Sequence, residues 1–218
     1  MQLVYKFKLN SNNDELKSLC VRSNNLYNQA NYVIKQELSK NHKLIRYNEL
    51  DKIMKITKNL DNEINYRLLS NCQTSQQILR LLDKNWFSYF KSLKSYKKDP
   101  SKFKGQPRSP SFRKKNSQNI LIYTNQNSKI KDNYVILSKI LKIYIPQYDK
   151  YKERIKNYQQ IRILPKNNFY EIEIVYNYEQ QNVKLDYEKY GSIDLGVNNL
   201  ATLVTDKQPF LYNGKICN

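Results

Sequence analysis

Histidine is almost missing from this chain. Its 218 residues hold one, His42, in the polar connector SKNHKL. Ser-His and Cys-His catalysis would rest on that single loop side chain, which reads as a solvated residue, so both are set aside. Cysteine is scarce. Cys20, Cys72 and Cys217 are far apart, odd in number and form no CxxC pair. That spacing supports neither a disulfide framework nor a zinc site. Cys20 and Cys72 are expected as small core side chains. Long apolar runs are missing: mean hydropathy is -0.81, and no stretch approaches the roughly 18 apolar residues of a membrane span. The opening MQLVYKFKLNSNN alternates apolar and basic residues. No signal peptide is read there, and a cytoplasmic protein is expected. Acids are few: 19 Asp+Glu stand against 38 Lys+Arg, a formal +19. Such an excess points to a polyanionic partner, nucleic acid before an acidic membrane face.

What is present falls into blocks. LVYKFKL (3 to 9) alternates as a strand, with Leu3, Tyr5, Phe7 and Leu9 on one face and Lys6 and Lys8 on the other. Asp14 is the expected N-cap of a helix running to about residue 39, with Leu16, Leu19, Cys20, Leu26, Tyr27, Ala30, Ile34 and Leu38 at helical spacing. Shorter helices are expected at 48 to 58 and 61 to 69. TSQQILRLLDKNWFSYFKSLKSY (74 to 96) predicts an amphipathic helix with Ile78, Leu81, Leu82, Trp86, Tyr89, Phe90 and Leu93 as its stripe, so Trp86 is expected in the core. Short β-rich runs follow at 119 to 124, 134 to 137, 140 to 146, 160 to 165 and 169 to 179.

Between the helical and β-rich blocks lies KKDPSKFKGQPRSPSFRKKN. Pro100, Pro107, Pro110 and Gly105 make it a loop. It carries Lys97, Lys98, Lys102, Lys104, Arg108, Arg113, Lys114 and Lys115, with Phe103 and Phe112 among them and Tyr96 just before. Cations neutralise phosphates and rings stack on unpaired bases, so these eight residues are the expected nucleic-acid contacts. The bland alternative is a solvated run. Lys6 and Lys8 either extend the same surface or form a solvated strand face.

The stretch GSIDLGVNNLATLVTD (191 to 206) raises the question of its acid. In a strand, Ser192, Asp194 and Gly196 share a face, opposite Ile193, Leu195 and Val197. Small neighbours leave room beside the carboxylate for a metal ion or a phosphate; equally, it satisfies local backbone N–H groups. The pattern leaves both open. VNN forms a turn, LATLVT returns antiparallel, and FLYN adds a third strand after Pro209. A DLG turn also opens the first phosphate loop of actin-like and sugar-kinase ATPases, but too little chain follows here for an adenosine site.

These residues resemble TnpB proteins, the OrfB-type insertion-sequence proteins related to type V CRISPR nucleases. GSIDLGVNNLATLVTD resembles their first RuvC motif and PFLYNGK the segment that follows it. MQLVYKFKL resembles their opening strand and QQILRLLDKNWFSYFKS the long helix before the basic loop. PRSPSFRKK resembles the P-x-F-K-K signature. ILKIYIPQ and IRILPKNNFYEIEIVY resemble the two β segments before the catalytic core. The resemblance covers essentially the whole chain, in family order.

It implies an α+β fold. A β-barrel-like wedge domain is split by a helical recognition lobe and followed by the first hairpin of an RNase H-like (RuvC) domain. The implied parts are 1–12 (first wedge strand), 13–98 (helical lobe), 99–118 (basic loop), 119–185 (rest of the wedge) and 186–218 (start of the RuvC-like domain). It also implies an RNA-guided DNA endonuclease with guide-type structured RNA and DNA as partners. Asp194 would be the first of three catalytic carboxylates and a Mg²⁺ ligand. The second and third motifs, the bridging helix and the zinc ribbon are not in this sequence. One carboxylate cannot hold two Mg²⁺ ions, so a truncated or split nuclease, inactive alone, is expected, with a second chain as a possible source of the rest. A nuclease-dead RNA/DNA-binding regulator and a degraded reading frame are the alternatives.

Overall fold

The computed structural model describes residues 1–137, 141–179, 188–196, 199–205 and 208–213. The chain divides into two units, Met1–Tyr178 and Glu179–Asn218. Ile140, Val197, Asn198, Gly214, Lys215 and Cys217, which carried parts of the reading above, lie outside the described residues.

The first unit is built on a four-stranded antiparallel sheet. Strand β1 (Gln2–Asn10) pairs with β7 (Phe169–Asn177), β7 with β6 (Tyr158–Pro165), and β6 with β2 (Leu121–Thr124). The alternation read in the first strand is real: Leu3, Tyr5, Phe7 and Leu9 pack against the core while the residues between them are exposed. Register makes this a continuous layer. Phe7, Ile172, Ile163 and Leu121 form one row across all four strands, and Tyr5, Ile174, Ile161 and Tyr123 form the next. Of these eight, only the β1 residues retain partial exposure. Burying such rows is the main favourable term holding the sheet.

The opposite face carries charge across strands. Lys6 Nζ lies 2.8 Å from Glu173 Oε1, and Arg162 Nη1 lies 3.5 Å from Glu173 Oε2. Lys6 is therefore part of an ion-pair row, and its ammonium is held above its ordinary pKa by the hydrogen bond to Glu173. Lys8 lies 5.0 Å from the centre of the Phe169 ring.

Between β1 and β2 the chain makes three helices: α1 (Asp14–Asn41), α2 (Tyr47–Met54) and α3 (Cys72–Lys98). Asn13 rather than Asp14 caps α1, its Oδ1 accepting from the Leu16 N–H at 2.8 Å. Asp14 is the first helical residue, where its charge still favours the helix N-terminus. Asn71 caps α3 in the same way through the Thr74 N–H. That moves the start of α3 to Cys72, whose exposed side chain is not the core residue expected. Cys20 is fully buried. Ile78, Leu79, Leu82 and Trp86 are the buried stripe of α3; Phe90 stays exposed. The helix expected at 61 to 69 is only a single 3-10 turn, Asn65–Arg67. Here Tyr66 is buried and donates to Asp51 Oδ1 at 2.8 Å, which pins α2.

After β2 comes a small antiparallel sheet, β3 (Lys129–Lys131), β4 (Tyr134–Ile136) and β5 (Lys142–Tyr144), then helix α4 (Tyr148–Ile155). Neither β3 nor α4 is legible in the hydrophobic pattern. In the second unit, β9 (Ala201–Thr205) lies between β8 (Gly191–Asp194) and β10 (Pro209–Tyr212), all antiparallel, in the order the sequence implies. The whole is α+β with antiparallel sheets. Among the described residues, no helix is long and apolar enough to cross a membrane.

Candidate nucleic-acid interface and the Asp194 hairpin

The basic loop has no regular strand, yet its backbone is fixed. The reason lies on α1, where Asn24, Asn28 and Asn31 recur at helical spacing and face the loop. Asn24 Nδ2 donates to the Lys114 carbonyl at 3.0 Å, and Asn31 Nδ2 to the Pro110 carbonyl at 3.2 Å. Asn28 bonds Arg113 twice: its Nδ2 donates to the carbonyl and its Oδ1 accepts from the N–H, both at 2.9 Å. Two further bonds tie down the chain beyond the loop. The Asn119 N–H donates to the Cys20 carbonyl, and Ser23 Oγ to the Ile120 carbonyl. The buried Trp86 locks the same system, its indole N–H donating to Asn31 Oδ1 at 2.9 Å.

Fixing the backbone leaves the side chains outside. Lys97 and Lys98 end α3; all eight predicted cations are exposed. Only Lys102 among them has an acidic partner in the described residues, Asp99 at 3.2 Å. Hydrogen bonds from Ser101 and Lys102 hold the Asp99 carboxyl below its ordinary pKa. The Arg113 guanidinium stacks 4.9 Å from the centre of the buried Tyr27 ring. Phe112 is half exposed with Lys35 over it at 4.8 Å, whereas Phe103 packs edge-on against Tyr96. Of the two loop rings, Phe112 is the one open to a ligand. Where the loop meets α3 there is a polar groove of ≈ 430 Å³, lined by Asn85, Ser88, Tyr89, Ser92, Arg108 and neighbouring loop residues. This surface can bind a polyanion along its backbone.

The three asparagines were not singled out in the sequence. The signal was there: Asn24 and Asn31 interrupt the apolar stripe of α1 and are fully buried. A buried amide demands partners, which points to a segment packed against it.

Asp194 ends β8, paired with Thr202 of β9, and is exposed. Ser192 and Asp194 share a face, with Ile193 on the other. Gly196 lies beyond the strand. Its N–H donates to the Asn199 carbonyl at 3.2 Å, and a Cβ there would meet that oxygen at 3.3 Å. A side chain at position 196 would press on that oxygen, so a residue without a Cβ suits it. Among the described residues no cluster of three or more His, Cys, Asp or Glu side chains could hold a metal. Asp194 alone does not fit a site for a Mg²⁺ pair.

No family model matches the sequence, and no curated protein matches it. Solved structures do. A cryo-EM structure of a CRISPR-Cas12f ternary complex aligns over 94% of this chain and 49% of that one, with TM-score 0.51 and 8% identity. The fold of this chain is thus similar to that of about half of a Cas12f chain. A second cryo-EM structure, a Cas12f1-sgRNA-target DNA complex, aligns over 99% of this chain and 58% of that one, with TM-score 0.38 and 13% identity. The chain spans about half the length of the Cas12f chains it matches.

Proposed function

We propose that this chain is a nucleic-acid-binding part of a TnpB-like RNA-guided DNA endonuclease of mobile-element origin. It grips a structured guide RNA and, through it, target DNA. In this reading the sheet of β1, β7, β6 and β2 is the wedge, α1 to α3 form the recognition lobe, and β8 to β10 open a RuvC-like domain. Likeness to a Cas12f ternary complex along 94% of the chain supports the arrangement.

The observation that carries the binding reading is the anchored loop. Eight exposed cations sit on or beside a backbone held by side chains of α1. Binding to such a surface costs little ordering entropy, because the loop is already in place. Base pairing between guide and target would supply sequence specificity, so backbone and shape contacts suffice for the protein.

Asp194 is proposed as the first RuvC-like carboxylate, one Mg²⁺ ligand of a site whose other carboxylates lie outside the described residues. The chain by itself is then expected to bind without cutting.

The test is binding of the purified chain to structured RNA across a salt series. Replacing Lys102, Lys104, Arg113, Lys114 and Lys115 together should flatten the log–log salt slope by up to about four, at slightly under one per phosphate contact. An unchanged slope would remove the loop from the interface. In the same assay, Asp194→Ala should leave binding intact. Mg²⁺-dependent cleavage by the unsubstituted chain, abolished by that substitution, would overturn the claim that it does not cut alone.

A further inference from the structure

The small sheet of β3, β4 and β5 has two unlike faces. Ile130, Val135 and Ile143 occupy one. Val135 and Ile143 are buried, and Ile130 lines a cleft of ≈ 300 Å³ with Tyr148, Ile155 and Tyr158. By strand alternation the other face carries Lys129, Lys131, Tyr134, Ile136, Lys142 and Tyr144. Register arranges these six in two rows. Lys131, Tyr134 and Tyr144 lie side by side across the strands, and Lys129, Ile136 and Lys142 form the next row.

The composition of this face is selective. It holds two aromatic rings, three lysines and no acid. Tyr134 is 42% and Tyr144 55% exposed. Their centroids are 5.7 Å apart and their planes meet at 69°. In an edge-on pair, the ring that offers its edge keeps its own faces free for another π system. Lys129 and Lys142 have no acidic partner among the described residues, and Lys131 meets only Asp132, in the adjoining turn, at 3.7 Å. Exposed rings framed by cations on one sheet face fit a ligand with alternating flat bases and phosphates. Stacking needs bases that are not already paired. RNA offers them in loops and bulges, while duplex DNA does not.

We propose that this face binds an unpaired segment of RNA. Tyr134 and Tyr144 stack on bases, and Lys129, Lys131 and Lys142 hold the flanking phosphates. The inference rests on the nucleic-acid-binding reading above and adds a surface distinct in sequence from the basic loop.

The experiment uses the full chain, a short unstructured RNA oligonucleotide, the same sequence as single-stranded DNA, and a duplex RNA. Tyr134→Ala with Tyr144→Ala should weaken binding of the unpaired RNA about tenfold or more, with the salt slope and the thermal melt unchanged. Replacing both with Trp should restore it. Replacing the three lysines with Gln should reduce the slope by about two, at roughly 0.7 per contact on a single strand. Photo-crosslinking with thiouridine in the oligonucleotide should label the segments holding Tyr134 and Tyr144. If the chain binds RNA but the Ala variant binds as tightly and crosslinks fall elsewhere, this face is not the site, and the basic-loop reading stands. Equal affinity for the single-stranded DNA would overturn the assignment to RNA. No binding to any RNA would overturn both readings.

Discussion

Asn31 is fully buried between two groups that both depend on it. Its amide oxygen takes the Trp86 indole N–H, and its amide nitrogen serves the Pro110 carbonyl. Removing the amide leaves a buried donor unpaired and releases the loop at one of its anchors. Asn31→Ala should therefore cost about 2 kcal/mol, the range for orphaning a buried polar group, read from the urea midpoint. Trypsin should also cut faster at Arg108 and Arg113. An unchanged midpoint together with unchanged proteolysis would mean that the clamp does not hold the loop. Trp86 could be placed in the core from the helical stripe alone. Its partner could not, because the asparagine lies 55 residues away in sequence and the loop carbonyl 79 residues from the asparagine. Cys72 shows the same limit at one position. It is expected in the core as a small side chain, but the Asn71 cap starts the helix there and the thiol is exposed.

Elements differ in how much apolar surface they bury. Strands β6 and β7 place Ile161, Ile163, Ile172 and Ile174 in the core with no exposed surface. Every residue of β8 and β10 is exposed, including Ile193, Phe210, Leu211 and Tyr212. A sheet lacking a buried layer opens locally at low cost. Hydrogen exchange should be fast in β8 to β10 and slow in β6 and β7. Equal protection would show that the Asp194 hairpin is packed against something that supplies the missing burial. The hairpin was legible because alternation, a turn and a proline marked each strand. Strand β3 was not, since Lys-Ile-Lys is only three residues long. Helix α4 was not, because Ile155 is its one buried residue and Gln147, before it, makes no side-chain cap.

At the scale of the whole molecule, the buried titratable groups set an alkaline limit. Burial pushes the Cys20 thiol from its ordinary 9.0 up to about 12, and the Tyr123 and Tyr170 phenols from 10.0 up to about 12. Below about pH 9 both folded and unfolded chains keep these protons, and the groups are neutral toward stability. Between 9 and 12 the unfolded chain releases them first, so stability falls as pH rises. The melting temperature, measured at high salt to screen repulsion among the basic residues, should drop across this window. Tyr123→Phe should make the drop shallower. A flat profile would mean that these groups titrate from the folded state.

The sequence by itself determined the charge balance, the α+β class, the first strand's two faces, the two long helices, the basic loop and the strand order around Asp194. These are local properties, written in periods of two and 3.6 residues and in turn-forming residues. Only the tertiary structure decided that the loop is anchored by three asparagines, that Lys6 belongs to an ion-pair row with Glu173, and that two tyrosines from different strands meet on a lysine-framed face. Each depends on pairing between distant segments, where register rather than local composition brings the side chains together.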